Sequence, residues 1–199
     1  MPNPISKRPI MKTNVFAILF CLGSLVAVAG DAAAGNDGQP ANSAVGTIPS
    51  LDVPRYMGTW FEIAKYPNWF QRKCIGGTKA EYSLKNDGMV QVINRCRLKS
   101  GEMIEAIGAA RQIGPATSAK LEVRFAPAWL SILPFVWGDY WVIDLDEQYQ
   151  LVAVSEPKKQ YLWILARTPN IDPSDYKKLL ARLGKMGFDL SKLEVTKQD

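Results

Sequence analysis

Residues 80–96, AEYSLKNDGMVQVINRC, decide the fold. Ala80, Tyr82 and Leu84 fall on one face of an extended chain and Glu81 and Ser83 on the other, the two-residue period of a strand with one dry side and one wet side. Asn86-Asp87-Gly88 then supplies the residues of a tight hairpin, and Val90, Val92 and Asn94 share a face beyond it. The stretch is therefore an antiparallel pair.

The same pattern repeats on both sides of this hairpin. Short β-type runs predict strands near residues 59–66, 78–85, 89–98, 102–112, 119–126, 138–145, 149–156 and 160–167, with Lys99-Ser100-Gly101 and Asp146-Glu147-Gln148 as further turns. In LEVRF, residues 121–125, Leu121, Val123 and Phe125 again oppose Glu122 and Arg124. By contrast YWVIDL (140–145) and YLWILA (161–166) are apolar on both faces, so something must cover them from outside. A helix after Thr168-Pro169 is the cover: Asp172 caps it, Pro173 opens it, Tyr176, Leu179, Leu180 and Leu183 form its apolar stripe, and Gly187 stops it after Met186. A short final strand is expected around Leu193–Lys197.

Eight short antiparallel strands remove their own edges by closing. The expected fold class is all-β: an eight-stranded up-and-down barrel with one C-terminal α-helix packed outside, enclosing room for one small ligand. An outer-membrane barrel would need an apolar outward band on every strand. Lys, Glu and Arg alternate through the second, third and fifth strands and argue against it.

At the N-terminus, Lys7, Arg8 and Lys12 precede an uncharged run of 15 residues, Val15–Ala29, that ends in Ala27-Val28-Ala29. This is the layout of a cleaved secretory signal, and the run is short of the roughly 20 residues that span a bilayer. Lipidation at Cys21 is the disfavoured alternative, since Ile18-Leu19-Phe20 precedes it rather than a small residue. Residues 1–29 thus read as a signal peptide, 30–50 as a flexible Gly/Pro-rich leader and 51–199 as the barrel domain. The reading predicts an exported protein of the periplasm, associated with the outer membrane.

Cleavage removes three positive charges and leaves 21 basic against 19 acidic residues, with no dense Lys/Arg run to suggest nucleic acid. Two cysteines remain, Cys74 before the second strand and Cys96 late in the third, and an even count in an exported chain favours a disulfide. The sequence contains no histidine. That weakens any cysteine–base or metal site, so neither a cofactor nor a metal is expected.

One segment breaks the pattern. FAPAWLSILPFVWGDYW, residues 125–141, is apolar yet interrupted by Pro127 and Pro134, which a central strand would exclude. It reads as an apolar loop, and such loops touch something apolar.

Three further blocks carry a family resemblance. YMGTWFEIAKYP (56–67) resembles the G-x-W signature of the first lipocalin strand, GDYWVIDLD (138–146) the second conserved block, and YLWILARTP (161–169) the third with its arginine. Residues 52–198 look most like the bacterial outer-membrane lipocalins of the Blc type, relatives of apolipoprotein D. The resemblance implies that Gly58 and Trp60 close the narrow end with Arg167 laid across the indole, a structural role. It also puts the 126–137 loop at the open end beside Trp69 and Phe70. Trp69, Phe70, Trp129, Leu130, Ile132, Leu133, Phe135 and Trp137 are therefore expected to form an apolar rim. That rim would meet a membrane surface or a second subunit, unless the loop folds as a lid over the protein's own cavity.

Face alternation from Trp60 gives the expected lumen: Glu62, Ala64 and Tyr66, then Ala80, Tyr82 and Leu84, Val90, Val92 and Asn94, Leu121, Val123 and Phe125, with Tyr140 added from the sixth strand. Such a lining suits a single-chain amphiphile, and the resemblance implies a fatty acid or lysophospholipid carried for envelope maintenance. Lys73, Lys79, Arg95 and Arg97 are candidate contacts for an anionic head group. Two rivals stay open: a lipid-modifying enzyme working through a buried Glu62, and a protein-docking module, a homodimer included, that uses the rim.

Overall fold

The computed structural model describes residues 45–198; the expected signal segment and Cys21 lie outside them. Eight strands form the wall: β1 Gly58–Lys65, β2 Cys74–Leu84, β3 Val90–Leu98, β4 Met103–Gln112, β5 Lys120–Arg124, β6 Gly138–Leu145, β7 Leu151–Ser155 and β8 Leu162–Ala166. Each pairs antiparallel with the next, and β1 pairs with both β2 and β8, which closes the barrel. A ninth strand, β9 Glu194–Val195, adds to the outer edge of β1. The helix α2, Pro173–Lys185, starts where the sequence places it: the Asp172 side chain accepts from the backbone N–H groups of Ser174 and Asp175.

The expected disulfide is present. Cys74 and Cys96 are bonded, with Cα atoms 5.5 Å apart, and tie the start of β2 to the end of β3.

Two separate apolar clusters follow from the strand faces. Trp60, Tyr82, Val92, Leu121, Val142, Val154 and Leu165 belong to the inner one; Ile63, Ala64, Ile143, Ala153 and Ile164 belong to the outer one, against Leu179 and Leu183 of α2. The doubly apolar strands are thus covered on both sides, as their sequence requires. Arg182 of α2 fixes the helix to the wall through two hydrogen bonds to Asp144 at 2.6 and 2.8 Å.

Two bulges set which residues face out. Glu62 and Ala64 pair with adjacent residues of β8, so Ile63 is an extra residue in β1; Ile143 is likewise extra in β6. An inserted residue breaks the two-residue period and sends the rest of the strand to the opposite face.

The structure corrects the reading of residues 45–50 as flexible leader. Val45 is buried, the Ile48 N–H donates to Val142 O at 3.0 Å, and the neighbouring Leu51 N–H donates to Thr117 O at 2.8 Å. The apolar side chains spaced among the small polar residues supply anchors that composition alone conceals. One further element had no clear sequence signal: a single helical turn, α1 Val53–Tyr56, capped by the Asp52 side chain. Among the described residues no helix is long and apolar enough to cross a membrane.

Candidate functional site

The barrel encloses a cavity of about 840 Å³ that is open among the loops joining β1–β2, β5–β6 and β7–β8. Its base is built by α1 and β1. The Trp60 Nε1–H donates to Tyr56 O at 2.9 Å, the two rings lie 4.9 Å apart, and the Arg167 guanidinium sits 3.9 Å above the Trp60 indole. Arg167 then donates to the carbonyls of Thr59, Arg55, Tyr56 and Tyr149 at 3.0–3.2 Å. One cation therefore joins α1, β1 and the β6–β7 turn, the stabilising role the resemblance implies.

Above this plug stand three tyrosines. The Tyr140 hydroxyl lies 2.8 Å from that of Tyr56 and 3.1 Å from that of Tyr82, and the Tyr56 and Tyr82 rings stack at 5.8 Å. Burial pushes all three phenols up, Tyr82 to about 12, so the group stays protonated and neutral. The cavity floor formed by these phenols is polar at a few atoms and neutral, the Arg167 charge lying in the plug outside the lining.

Higher up, Glu62 is nearly fully buried in the wall. Its carboxylate accepts from Gln71 Nε2 and Thr196 Oγ1, both at 2.6 Å, and Gln71 Oε1 in turn accepts from the Trp163 indole at 3.0 Å. Burial pushes the Glu62 carboxyl above the ordinary glutamate range, against the smaller opposing effects of those two hydrogen bonds and of Lys65. An acid whose folded pKa is raised holds its proton more tightly when folded. Its stabilising contribution is whole below the unfolded value, about 4.3, and is lost as pH rises through the folded value. Glu62→Gln keeps both contacts, its carbonyl accepting from Gln71 and its amide donating to Thr196, and removes the titration. Thermal melts from about pH 5 to pH 8 are expected to show the wild type losing stability with pH relative to the variant; parallel curves would contradict the burial argument.

The mouth is aromatic. Tyr161 and Trp163 stack at 5.7 Å, Phe70 lies 5.7 and 6.1 Å from them, and Trp69 sits edge-on to Phe70 at 5.6 Å. Within the β5–β6 loop two single 3-10 turns, Ala128–Leu130 and Pro134–Val136, hold Trp129, Ile132 and Phe135 out in solvent at 75, 86 and 80% exposure. Leu130, Leu133 and Trp137 do not share that exposure. The Trp137 indole donates to Ser131 O at 2.8 Å and lies against Arg111 and Arg124, 4.2 and 5.2 Å from the ring centre.

Most of the lumen expected from alternation lines this cavity: Glu62 from β1, Ala80 and Tyr82 from β2, Val90, Val92 and Asn94 from β3, Leu121 and Val123 from β5, Phe125 just beyond it, and Tyr140 from β6. Three residues do not. The extra residue Ile63 turns Ala64 and Tyr66 outward into the cluster beneath α2, where the Tyr66 hydroxyl donates to Asp189 O at 2.9 Å. Leu84 is half-exposed, because the pairing of β1 with β2 ends at Gly58 and Tyr82 and leaves Leu84 past the closed end. Alternation missed Tyr56, Gln71, Trp163 and Leu165. The last two were accessible from YLWILA once one of its two apolar faces was assigned inward. As for the candidate head-group cations, Lys79 and Arg95 are paired with Glu81 at 3.5 and 2.6 Å, and Arg95 also with Glu105 at 2.8 Å. Lys73 is exposed. Among the described residues, no group of three or more His, Cys, Asp or Glu side chains could hold a metal.

Residues 51–198 match the model of the lipocalin-like domain family. The chain belongs to the lipocalin family. Its relatives include temperature-induced lipocalin-1 of Arabidopsis thaliana, 40% identical over 76% of this chain and 81% of that one. Outer membrane lipoprotein Blc of Escherichia coli is 38% identical over 74% and 80%, and mouse apolipoprotein D 33% over 75% and 78%. Among solved structures, insecticyanin of the tobacco hornworm Manduca sexta superposes with a TM-score of 0.62 over 79% of this lipocalin and 86% of that chain, at 18% identity. Lipocalins typically bind small hydrophobic ligands and are in general binding proteins rather than enzymes.

Proposed function

We propose that this lipocalin binds one single-chain lipid, a fatty acid or lysophospholipid, in its lumen, and carries or stores it for maintenance of the bacterial envelope. The apolar cavity of about 840 Å³ with a neutral, closed base carries this reading. Its volume lies in the roughly 300–1,000 Å³ range of small-ligand sites. Burying a 16-carbon chain contributes at most about 12 kcal/mol, from which the cost of ordering the chain is subtracted. Micromolar binding is thus within reach without a specific bond. The lipid's tail lies toward the tyrosines and its head at the mouth, the end that is open to water among the described residues. Both Glu62 oxygens are engaged by Gln71 and Thr196, which favours a wall contact over a catalytic base. The N-terminal charge and hydropathy pattern, with the names of the Blc relatives, supports export to the periplasm and the outer membrane.

Native mass spectrometry of the protein from an envelope fraction, then titration of the delipidated protein with oleic acid and lysophosphatidylethanolamine, tests the reading. The expected result is about one lipid per chain at micromolar affinity or tighter; a protein that arrives empty and takes up neither lipid overturns it.

The rim supports a companion proposal, that Trp129, Ile132 and Phe135 enter a membrane surface while cargo is exchanged. Three large apolar side chains held in water by one loop, beside a Trp69 that is 73% exposed, support it. The double variant Trp129→Asp, Phe135→Asp is expected to lose co-sedimentation with vesicles while oleic acid uptake stays within about twofold. Unchanged co-sedimentation sinks the membrane contact, and a variant that instead turns a dimer into a monomer makes the rim a subunit interface.

A further inference from the structure

Charge is distributed unevenly between the two ends of the barrel. The four loops of the open end, residues 66–73, 99–102, 125–137 and 156–161, contain five basic residues and two acidic ones. The loops that join strands at the closed end, residues 85–89, 113–119 and 146–150, contain one basic residue and three acidic ones. Asp139, at the start of β6, offsets only part of the excess at the mouth. A molecule polarised in this way turns its basic end toward a negative surface before contact.

Within the open end the cations are sorted from the apolar side chains. The β5–β6 loop, which holds Trp129, Ile132 and Phe135 in water, has no charged residue. Arg72 and Lys73 follow Trp69 and Phe70 in the β1–β2 loop, and Lys158 lies in the β7–β8 loop. The contact of Phe70 with Tyr161 at 5.7 Å joins those two loops, so the three cations share one side of the mouth. All three residues are exposed, and among the described residues none is paired with a carboxylate. Glu156 does not offset them at the surface: it is buried, and its carboxylate accepts from the backbone N–H groups of Lys158, Gln160 and Tyr161. Lys159 is held back by the end of α2, its Nζ donating to Met186 O at 2.7 Å. Arg72, Lys73 and Lys158 are therefore left to meet an anion from outside.

We propose, building on the membrane contact of the rim, that the surface it meets is an anionic phospholipid bilayer, with Arg72, Lys73 and Lys158 at the level of the phosphates while Trp69 and the β5–β6 loop enter the acyl layer. Long basic side chains reach back to the head groups with their stems against apolar surroundings, and aromatic rings suit the same boundary. The uncharged loop attracts any bilayer; the cations supply the preference.

Co-sedimentation with phosphatidylcholine vesicles, with and without about one-third phosphatidylglycerol, tests the proposal. Each basic residue at an anionic surface is worth about fivefold in partition. The protein is expected to prefer the phosphatidylglycerol vesicles by about 30-fold at low salt, and to lose most of that preference by about 0.5 M salt, where the charges are screened. The triple variant Arg72→Gln, Lys73→Gln, Lys158→Gln is expected to lose most of the preference while its partition onto phosphatidylcholine alone stays within about twofold. Lys73→Gln alone is expected to cost about fivefold, and the closed-end control Lys85→Gln less than about twofold. Equal partition of the wild type onto the two vesicles overturns the proposal. A loss in Lys85→Gln as large as that in Lys73→Gln overturns it too, because net charge rather than the placed cations would then set the preference. Failure to partition onto either vesicle is a different outcome, because it overturns the membrane contact of the rim itself. The substituted side chains are exposed, and a thermal melt verifies that each variant is folded.

Discussion

Trp60→Ala is expected to cost the barrel about 3–5 kcal/mol and to lower its melting temperature by roughly 10 °C or more. Trp60 is fully buried and is the main apolar filler of the closed end, in contact with Tyr56 and beneath Arg167. Alanine removes the indole, opens a cavity that the surrounding strands cannot collapse to fill, and frees the Tyr56 carbonyl of one donor. It also uncovers the face on which the guanidinium rests, so the four carbonyls bound by Arg167 lose a well-placed partner. Urea titration checks the value, with Trp60→Phe as the intermediate case. A loss under about 1 kcal/mol would mean that the base is not a stabilising plug. Below the lowered melting point the variant is expected still to take up lipid, because Trp60 lies beneath the tyrosines rather than in the cavity wall.

Ala106→Trp is expected to do the reverse: weaken oleic acid binding by roughly 100-fold while the fold keeps its stability. Ala106 lines the cavity at mid-height on β4, where its side chain faces open lumen rather than a packed neighbour. An indole built there has room to enter the lumen without displacing the core. The space it takes is the space a chain would use, and excluding three or four methylenes at about 0.8 kcal/mol each accounts for the hundredfold loss. Fluorescence titration reads the affinity and a thermal melt reads the fold. Full affinity in a folded Ala106→Trp variant would place the cargo outside the lumen, on the rim. The two variants therefore separate what holds the barrel closed from what fills it.

The hairpin at residues 80–96 was sufficient to predict the strand pattern because each strand there has one dry face and a turn of fixed residue type. The same rule failed at Ala64 and Tyr66. The bulge at Ile63 adds a residue without changing composition or period over the short stretch on either side, and the side that a strand turns inward after it depends on pairing with β8. Tyr56 was missed for a different reason. It reaches the lumen from a single helical turn ahead of β1, and no periodicity can be read from four residues. Gln71 enters from the β1–β2 loop, where face assignment has no meaning. Trp129, Ile132 and Phe135 were legible as a group, since an apolar run interrupted by Pro127 and Pro134 has no place in a strand. That Leu130, Leu133 and Trp137 turn away from them depends on the 3-10 turns and on the two arginines beside Trp137.

The bulges at Ile63 and Ile143 have a mechanical consequence. By turning apolar side chains outward on β1 and β6, they give one half of the barrel a second layer, in which α2 clamps β1 and β6–β8 from behind. Among the described residues the half formed by β2–β5 has no such backing, and Met103 and Ile107 on β4 stay open to water. Separating strands in the backed half breaks two sets of apolar contacts, whereas parting them in the unbacked half breaks one. Any expansion needed to admit a bulkier lipid is therefore expected to fall on the singly layered side, at β4 and β5 rather than at β2 and β3, which the disulfide ties together, and to leave the Trp60–Arg167 plug and the helix in place.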